Sequence, residues 1–584
     1  MTQTEAQRKI DTIAKRFKQN KEDQVKFVFA SSILILADTE FFKEWINRTA
    51  DARILEKAYK EKGLFTGEQR RFLFRDCLKS AYAGGAFELY ELYLAFADDL
   101  EPLKEIVAAY TEPTRRSKTF SPGLNELALR ILGRASSDAG DFVEYCCGDA
   151  TALSDAYMRG LAQHYYGQDR DDFKTDIIAA LKRKALHAED AMTITNGDVL
   201  TEPACLGAHD LIFASFPLGS LRHQSDGLPA GTHYTGILDA TDAEKKGLGT
   251  EWKFVHILLN SLSEKGKAVA IMSASLLASE EDAPIRQRLI EDGKIETVIL
   301  FGNDVFTTSR TAVAMVVFSN GNQTPRILDT RDTMLTKTRS QEISLRAIGD
   351  IESRYQDMWH ATRHCQMPTK MELAEHAYSL SFPDYIDPLQ SVPAEAKIPL
   401  GSLADITRGI SVKRINVNKD QANCYVVRVL HISDGHVRVG LRACEDLKKP
   451  YPIMPGDVLL AGRGTQIKAA LVEKEYDLPV LADNNVLVIR PQSPRLNSTY
   501  LTALLNSRLG RELMQTLQVG GDAILSISPG KLRKLVIPVP DRDIQEKMAA
   551  EYTAADKEVQ AARAQLWEKL HERDQIISNY IEIE

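Results

Sequence analysis

The 584-residue chain lacks any apolar run long enough to cross a bilayer. Its most apolar early stretch, Val25–Ala37, is interrupted by Lys26, Ser31 and Ser32 and falls short of the roughly 20 residues that a span requires. A buried helix is expected there. Met1–Lys21 is polar and mixed in charge, so no signal peptide is expected. Cysteine is scarce and scattered: Cys77, Cys146, Cys147, Cys205, Cys365, Cys424 and Cys444 form no CxxC pair and have no histidine at zinc spacing. A disulfide framework and a structural metal are therefore both excluded, and a reduced cytoplasmic setting fits. An excess of basic charge is also missing. A net charge of −8 argues against a chain that coats nucleic acid along its whole surface.

What is present is a composition of 44% hydrophobic and 26% charged residues, enough for three or four domains with sizeable cores. Charge is segregated. Residues 400–540 hold 19 Lys+Arg against 12 Asp+Glu, which makes one basic segment on an otherwise acidic protein. Residues 1–135 carry helical periodicity and predict a helical N-terminal domain. The pattern then changes to seven short apolar runs separated by helical stretches: 142–146, 164–168, 193–195, 210–214, 268–272, 296–301 and 312–318. This alternation predicts an α/β open sheet over residues 136–381. Proline-spaced residues 382–399 read as a linker, residues 400–541 as an α+β module rich in turn signals, and residues 542–584 as one long helix.

In an open α/β sheet, ligands bind at the carboxyl ends of the strands. The first expected strand runs into Glu144-Tyr145-Cys146-Cys147-Gly148-Asp149-Ala150, a turn into a helix. The second ends at Asp169, an acid positioned for ribose hydroxyls, and the third at Gly197-Asp198, where a carboxylate could meet an adenine amine. Either acid is equally readable as an ordinary strand-end turn residue. The fourth strand runs into Ser215-Phe216-Pro217-Leu218. Four such ends in succession carry more weight than any one of them.

Lys118 to Pro122, Glu144 to Leu153, Tyr166 to Asp169, Gly197-Asp198 and Asp210 to Gly219 together resemble the modification subunit of type I restriction systems, the N6-adenine DNA methyltransferase family. The resemblance covers roughly residues 1–380 and implies a Rossmann-like class I methyltransferase domain with a seven-stranded, mostly parallel sheet. It also implies S-adenosylmethionine as cofactor. Phe120, Ser121, Pro122, Glu144, Cys147, Gly148, Asp149 and Ala150 would lie near its methionine part, Asp169 on the ribose and Asp198 near the adenine. The departures from the family pattern are informative. Ala150 stands where a second glycine belongs, and its Cβ is expected to narrow the cofactor's approach and to oppose a positive φ. The catalytic Asn-Pro-Pro-Phe/Tyr is replaced by Ser215, Phe216, Pro217 and Leu218. Ser215 is too short to copy an amide that accepts from the target amine, and Leu218 has no ring to stack on a flipped base. Phe216 is a candidate for a displaced ring. The turn Thr308-Ser309-Arg310 also departs from the family's glycine-containing form.

The basic segment has its own resemblance. Leu400 to Gly409, Met454 to Leu460, Arg463-Gly464-Thr465, Ser526 to Leu532 and Val536 to Pro540 follow one another as in a single target-recognition domain of a type I specificity subunit. That resemblance implies double-stranded DNA as partner. Arg408, Lys413, Arg414, Arg463 and Lys468 are candidates for phosphate or base contacts, each also readable as a solvated surface cation. Ile544, Met548, Tyr552, Ala555, Val559, Ala562, Leu566, Leu570 and Ile577 make a narrow apolar stripe. Such a seam packs on the chain's own body or pairs with a second helix, in a homodimer or with other restriction-modification subunits. Dimerisation would restore the two recognition domains of a full specificity subunit and favour a palindromic, bipartite site.

Three readings follow. The chain is a DNA-binding component of a restriction-modification or phage-defence system that is impaired in methyl transfer, or an active site-specific N6-adenine methyltransferase fused to its specificity module. The third, a bifunctional restriction enzyme, is disfavoured because the helical N-terminus offers no acid–acid–Lys nuclease cluster.

Overall fold

The computed structural model describes residues 8–14, 20–48, 51–78, 87–113, 121–135, 139–205, 207–218, 251–301, 305, 312–331, 333, 345–357, 360–362, 364–386, 388–389, 392–411, 414–415, 421–433, 435–438, 441–444, 451–464, 468–517 and 525–580. They form two compact units, Met1–Phe382 and Pro383–Glu584.

The first unit begins with helices. Asn20 caps Lys21–Ala37 by accepting from the Asp23 N–H at 2.8 Å, and residues 27–37 of that helix are all buried. Beyond its polar, solvent-exposed first turns, this part of the helix is buried all round and has no solvent face. Of its two buried serines, Ser32 Oγ donates to the Val28 carbonyl at 2.8 Å, whereas Ser31 Oγ has no hydrogen-bond partner. Among the described residues no helix is long and apolar enough to cross a membrane. One hydrophobic cluster runs from Ile10 to Cys365 and takes in residues of both the helices and the sheet that follows, so the two share a core.

The sheet has nine strands: β1 Asp141–Tyr145, β2 His164–Asp169, β3 Met192–Asn196, β4 His209–Ser215, β5 Leu262–Ser273, β6 Ile295–Leu300, β7 Val313–Phe318, β8 Arg326–Asp329 and β9 Cys365–Gln366. Their order is β3-β2-β1-β4-β5-β7-β6-β8-β9. The expected α/β class holds, but the expected count of seven is corrected to nine. β8 opens on an arginine and has only four residues, and β9 has two, so neither carries an apolar run. Arg326 nevertheless belongs inside: its guanidinium donates to Thr297 Oγ1 and to the Tyr355 carbonyl, which leaves the charge buried but bonded. The strands β3 to β5 pair in parallel, whereas β7 runs antiparallel between β5 and β6. The chain leaves β1 toward β2 and β3, then returns to place β4 on the other side of β1. The carboxyl ends of β1 and β4 thus flank the point where strand order reverses, where an open sheet forms a crevice.

In the second unit, Ala404–Arg408, Val486–Pro491, Val458–Ala461, Ala469–Leu471, Gly435–Val437 and Ile432–Ser433 form a six-stranded sheet in that order. A four-stranded sheet joins Arg414–Ile415, Leu441–Cys444, Cys424–Val427 and Val480–Ala482. The end of the stretch read as a linker is built into this unit, because Lys397–Pro399 pairs antiparallel with Val536–Pro538. The terminal helix, Arg542–Tyr580, is anchored at its start by Gln545. That side chain is fully buried, accepts from the Asn497 N–H at 2.9 Å and donates to the carbonyls of Arg495 and Pro540.

Candidate functional site

The turn after β1 is the most strained segment at the crevice. Cys146, Gly148 and Ala150 adopt φ of +59°, +52° and +51°. Left-handed geometry is free for glycine but costs about 1–2 kcal/mol for a residue with a Cβ. Strain of this kind persists where the surroundings impose it, typically at ligand sites. Here the ties are explicit. The Cys147 N–H donates to the Gln168 carbonyl at 3.0 Å, and the Gly148 N–H donates to Asp169 Oδ2 at 2.9 Å. The end of β1 is thereby stitched to the end of β2. Gly167 makes room for this packing: a Cβ there would lie 2.9 Å from Leu153 Cδ2 and 3.2 Å from Cys147 Sγ.

Ala150 is left-handed despite its Cβ. Its φ is positive, as expected of a position that favours glycine, but its methyl is fully buried in the hydrophobic core and does not narrow a ligand's approach. Ala150 also offers no side-chain cap to the helix Thr151–Met158 that it precedes. Glu144 supplies one from β1, where its Oε2 accepts from the Leu153 N–H at 2.7 Å. Burial pushes the Glu144 carboxyl up to about 8, against the lowering effects of that bond and of Lys182.

Around the turn lies a buried polar network that the sequence did not signal. Asp149 Oδ2 accepts from the Glu112 N–H at 3.2 Å. Glu112 accepts from the Tyr110 hydroxyl at 2.7 Å and pairs with Lys26 at 2.9 Å. Lys182, fully buried, donates to the Ala108 carbonyl at 2.9 Å and to Thr151 Oγ1 at 3.2 Å, and desolvation lowers its pKa to about 8. Burial raises the Asp149 pKa, opposed by Lys182 and Lys174. Its Oδ1 is buried and has no hydrogen-bond partner. Lys26, Glu112 and Lys182 are far apart in sequence, which is why spacing could not collect them.

The other strand-end residues take these positions. Asp169 uses both carboxylate oxygens on backbone, Oδ2 on Gly148 and Oδ1 on the Asp171 N–H at 3.0 Å, each with lone pairs to spare. Asp198 Oδ1 accepts from the Leu200 N–H at 2.9 Å, the bond of a strand-end turn acid. Ser121 caps the helix Pro122–Gly133 and is buried; Phe120 lies outside the described residues, as does the turn Thr308-Ser309-Arg310. Ser215 closes β4 opposite Ile271 of β5. Phe216 is fully buried, stacked on Phe254 with centroids 4.9 Å apart and planes at 21°. It is therefore not a displaced ring for a flipped base. Pro217 is exposed, and Leu218 packs partly against the main core.

The residues present fit part of S-adenosylmethionine. A buried carboxylate oxygen without a donor beside an open left-handed turn suits the ammonium end, and Asp169 retains acceptors for ribose. Ser215 to Leu218 supply neither a carboxamide nor a free ring beside the transferred methyl. Among the described residues no group of three His, Cys, Asp or Glu could hold a metal ion.

In the second unit, Arg408 is exposed yet committed to backbone: Nη1 donates to the Asn484 carbonyl at 2.9 Å and Nη2 to the Ile527 carbonyl at 2.8 Å. Arg463 is exposed, on a short strand paired with Leu525–Ser526. Lys468 is half-buried; Lys413 and the Arg414 side chain lie outside the described residues. Lys531 and Arg533, from the run Lys531-Leu532-Arg533-Lys534, are exposed and were passed over by sequence reasoning, but each donates to backbone, Lys531 Nζ to the Leu517 carbonyl at 3.2 Å and Arg533 Nη2 to the Ile406 carbonyl. Asp457, of the Pro455-Gly456-Asp457 turn, is structural: Arg490 grips both its oxygens at 2.7 Å.

Residues 138–392, less than half of the chain, match the family model described as N-6 DNA Methylase. This segment is N-6 DNA methylase-like. No curated protein matches the chain. Among solved structures, the chain is similar to the methyltransferase subunit of a type I restriction-modification system from Streptococcus thermophilus, at 14% identity and a TM-score of 0.48, over 66% of this chain and 100% of that one. It is similar to the type IIG restriction endonuclease BpuSI at 12% identity and a TM-score of 0.43, over 93% of this chain and 74% of that one. It is also similar to the HsdS subunit from Thermoanaerobacter tengcongensis at 20% identity and a TM-score of 0.23, over 30% of this chain and 43% of that one. All three TM-scores are too low to bear on function.

Proposed function

We propose that the chain is a sequence-specific DNA-binding component of a restriction-modification or phage-defence system: an N6-adenine methyltransferase-like body at residues 136–381 fused to a target-recognition domain at residues 400–541, impaired in methyl transfer. The observation that carries the impairment is Phe216. With the ring stacked inside on Phe254 and serine in the preceding position, the end of β4 offers no amide to the target amine and no aromatic platform to the flipped base. The match to the N-6 DNA methylase model supports the methyltransferase-like body, and the surplus of Lys and Arg in residues 400–540, with Arg463 exposed, supports a DNA surface. S-adenosylmethionine binding at the Gly148 turn is part of this reading, as is pairing through the terminal helix.

The test is transfer of labelled methyl from S-adenosylmethionine to a DNA library by the purified chain. Loss of one preorganised polar contact costs ~10²–10³ in rate, and here two roles are missing together, so little or no incorporation into adenine is expected. Robust methylation, abolished by Asp169→Ala, would replace this reading by an active modification-specificity fusion.

A further inference from the structure

The network under the Gly148 turn holds buried carboxyls and ammoniums, with the half-buried Lys174 at its rim acting on Asp149. Its buried members are three carboxyls, Glu112, Asp149 and Glu144, and two ammoniums, Lys26 and Lys182, all with 13% or less side-chain or residue exposure. Lys182 donates to the Ala108 carbonyl and to Thr151 Oγ1, and Lys26 pairs with Glu112 and with surface Glu22. Asp149 Oδ1 is left buried with no donor. A buried carboxylate oxygen without a donor is costly, and a buried group in that position takes up a proton.

Resting on the reading that the Gly148 turn receives S-adenosylmethionine, we infer that the carboxyl cluster centred on Asp149 stores one proton, and that a ligand bringing a positive charge to the turn expels it. The ligand class is a nucleoside with an aliphatic ammonium or sulfonium. Its charge takes the place of the proton at the Asp149 carboxylate and the proton leaves to solvent, so atoms and charge are conserved. Neutral adenosine, held at the Asp169 and Asp198 end, has no charge to offer and leaves the proton in place.

The groups facing Asp149 make the exchange selective. Lys182 and Lys174 approach it from the helical segments after β2, and Glu112 from the segment that follows the helix Glu101–Ala109. Tyr110 and Lys26 act on it through Glu112, while Glu144 shares Lys182. Cys146 and Cys147 are held as neutral thiols by burial, with Asp169, Asp198 and Arg170 beyond them. Lys174 stands over the turn, Nζ 3.8 Å from where a Gly148 Cβ would be, positioned to meet an accompanying carboxylate.

The experiment is calorimetric titration of the full chain with S-adenosylmethionine near neutral pH, in phosphate and in Tris, whose ionisation heats differ. The expected result is a buffer-dependent heat equivalent to on the order of one proton released, with affinity rising up to about tenfold per pH unit through neutrality. Asp149→Asn, which keeps an acceptor for the Glu112 N–H, should bind more weakly and release no proton. Glu144→Gln, which keeps the Leu153 cap, is the second variant and should release less than wild type. Adenosine should bind without release. Buffer-independent heat for wild type overturns the inference and leaves the cofactor reading standing. Equal release by folded Asp149→Asn and Glu144→Gln, or by adenosine, overturns it too, because the proton then belongs elsewhere. No binding of S-adenosylmethionine at all overturns the cofactor reading and this inference together.

Discussion

Ala150 holds two opposed contributions in one methyl group. Its left-handed φ of +51° costs about 1–2 kcal/mol, whereas the methyl, buried in the core, returns roughly 0.8 kcal/mol. Glycine would relieve the torsion and lose the methyl, and would also gain freedom in the unfolded chain. Ala150→Gly should therefore change stability by less than about 1 kcal/mol in urea denaturation, unlike an ordinary buried alanine. Because the methyl faces the core, affinity for S-adenosylmethionine should stay within roughly a factor of two, an energy well below 1 kcal/mol. Glu144 gives the stronger signature. Its carboxyl titrates at about 8 in the folded chain and near 4.3 when unfolded, so the native state holds the extra proton between those limits. By linkage, its contribution falls as pH rises from about 4 to 8 and is level above. Glu144→Gln removes that slope and keeps the acceptor for Leu153. The variant should match wild type near pH 5 and exceed it at pH 8 and above by on the order of 1–3 kcal/mol, read from melting curves at both values.

At the scale of elements, the sequence revealed what depends on local pattern and hid what depends on distant partners. All seven expected strands exist, with ends moved by a residue or two except for β5, whose start lies several residues earlier at Leu262. A short apolar run between turns identifies a strand buried on both faces without help from its neighbours. β8 and β9 have no such run. Phe216 looked free because Phe254 stacks on it from another helix, and Arg408 looked like a DNA contact because the carbonyls it serves are 76 and 119 residues away. The terminal helix was recognised as a helix, and of the two roles left open for its apolar stripe, packing on the chain's own body is not what the described residues show. Among the described residues Gln545 and Ala549 are the buried positions and Tyr552, Asp556 and Gln560 the half-buried ones, with Asp556 bonded to His436 at 2.7 Å. Of the apolar stripe, Ile544, Met548, Val559, Leu566 and Leu570 stay 37–59% exposed. A second helix would cover them at low cost. Val559→Asp with Leu566→Asp should convert a self-associated species to a smaller one in light scattering, since two charges in a seam must be desolvated. A wild type that is monomeric at micromolar concentration removes the basis for pairing through this helix.

At the scale of the whole molecule, charge decides how the chain meets DNA. The chain carries a net −8, so attraction to phosphate must be local, and the surplus cations of residues 400–540 are its source. The chain should bind duplex DNA with a steep loss of affinity between low and physiological salt, because each phosphate contact releases counterions with a slope of about −0.9 in log K against log salt. Individual arginines in that segment should separate by role. Arg463 is exposed on its short strand, so Arg463→Ala should leave the melting temperature unchanged and reduce the salt slope by about 1 if it contacts phosphate. Arg408 spends its guanidinium on the carbonyls of Asn484 and Ile527, and Arg408→Ala would strip both of their donor. That variant should lose stability on the order of 1–3 kcal/mol while its slope, measured on the fraction still folded, stays near wild type. The two measurements together distinguish a cation that holds the module in shape from one that holds DNA. A salt-independent affinity in the unaltered chain would remove the phosphate contacts, and with them the recognition-domain reading of residues 400–541.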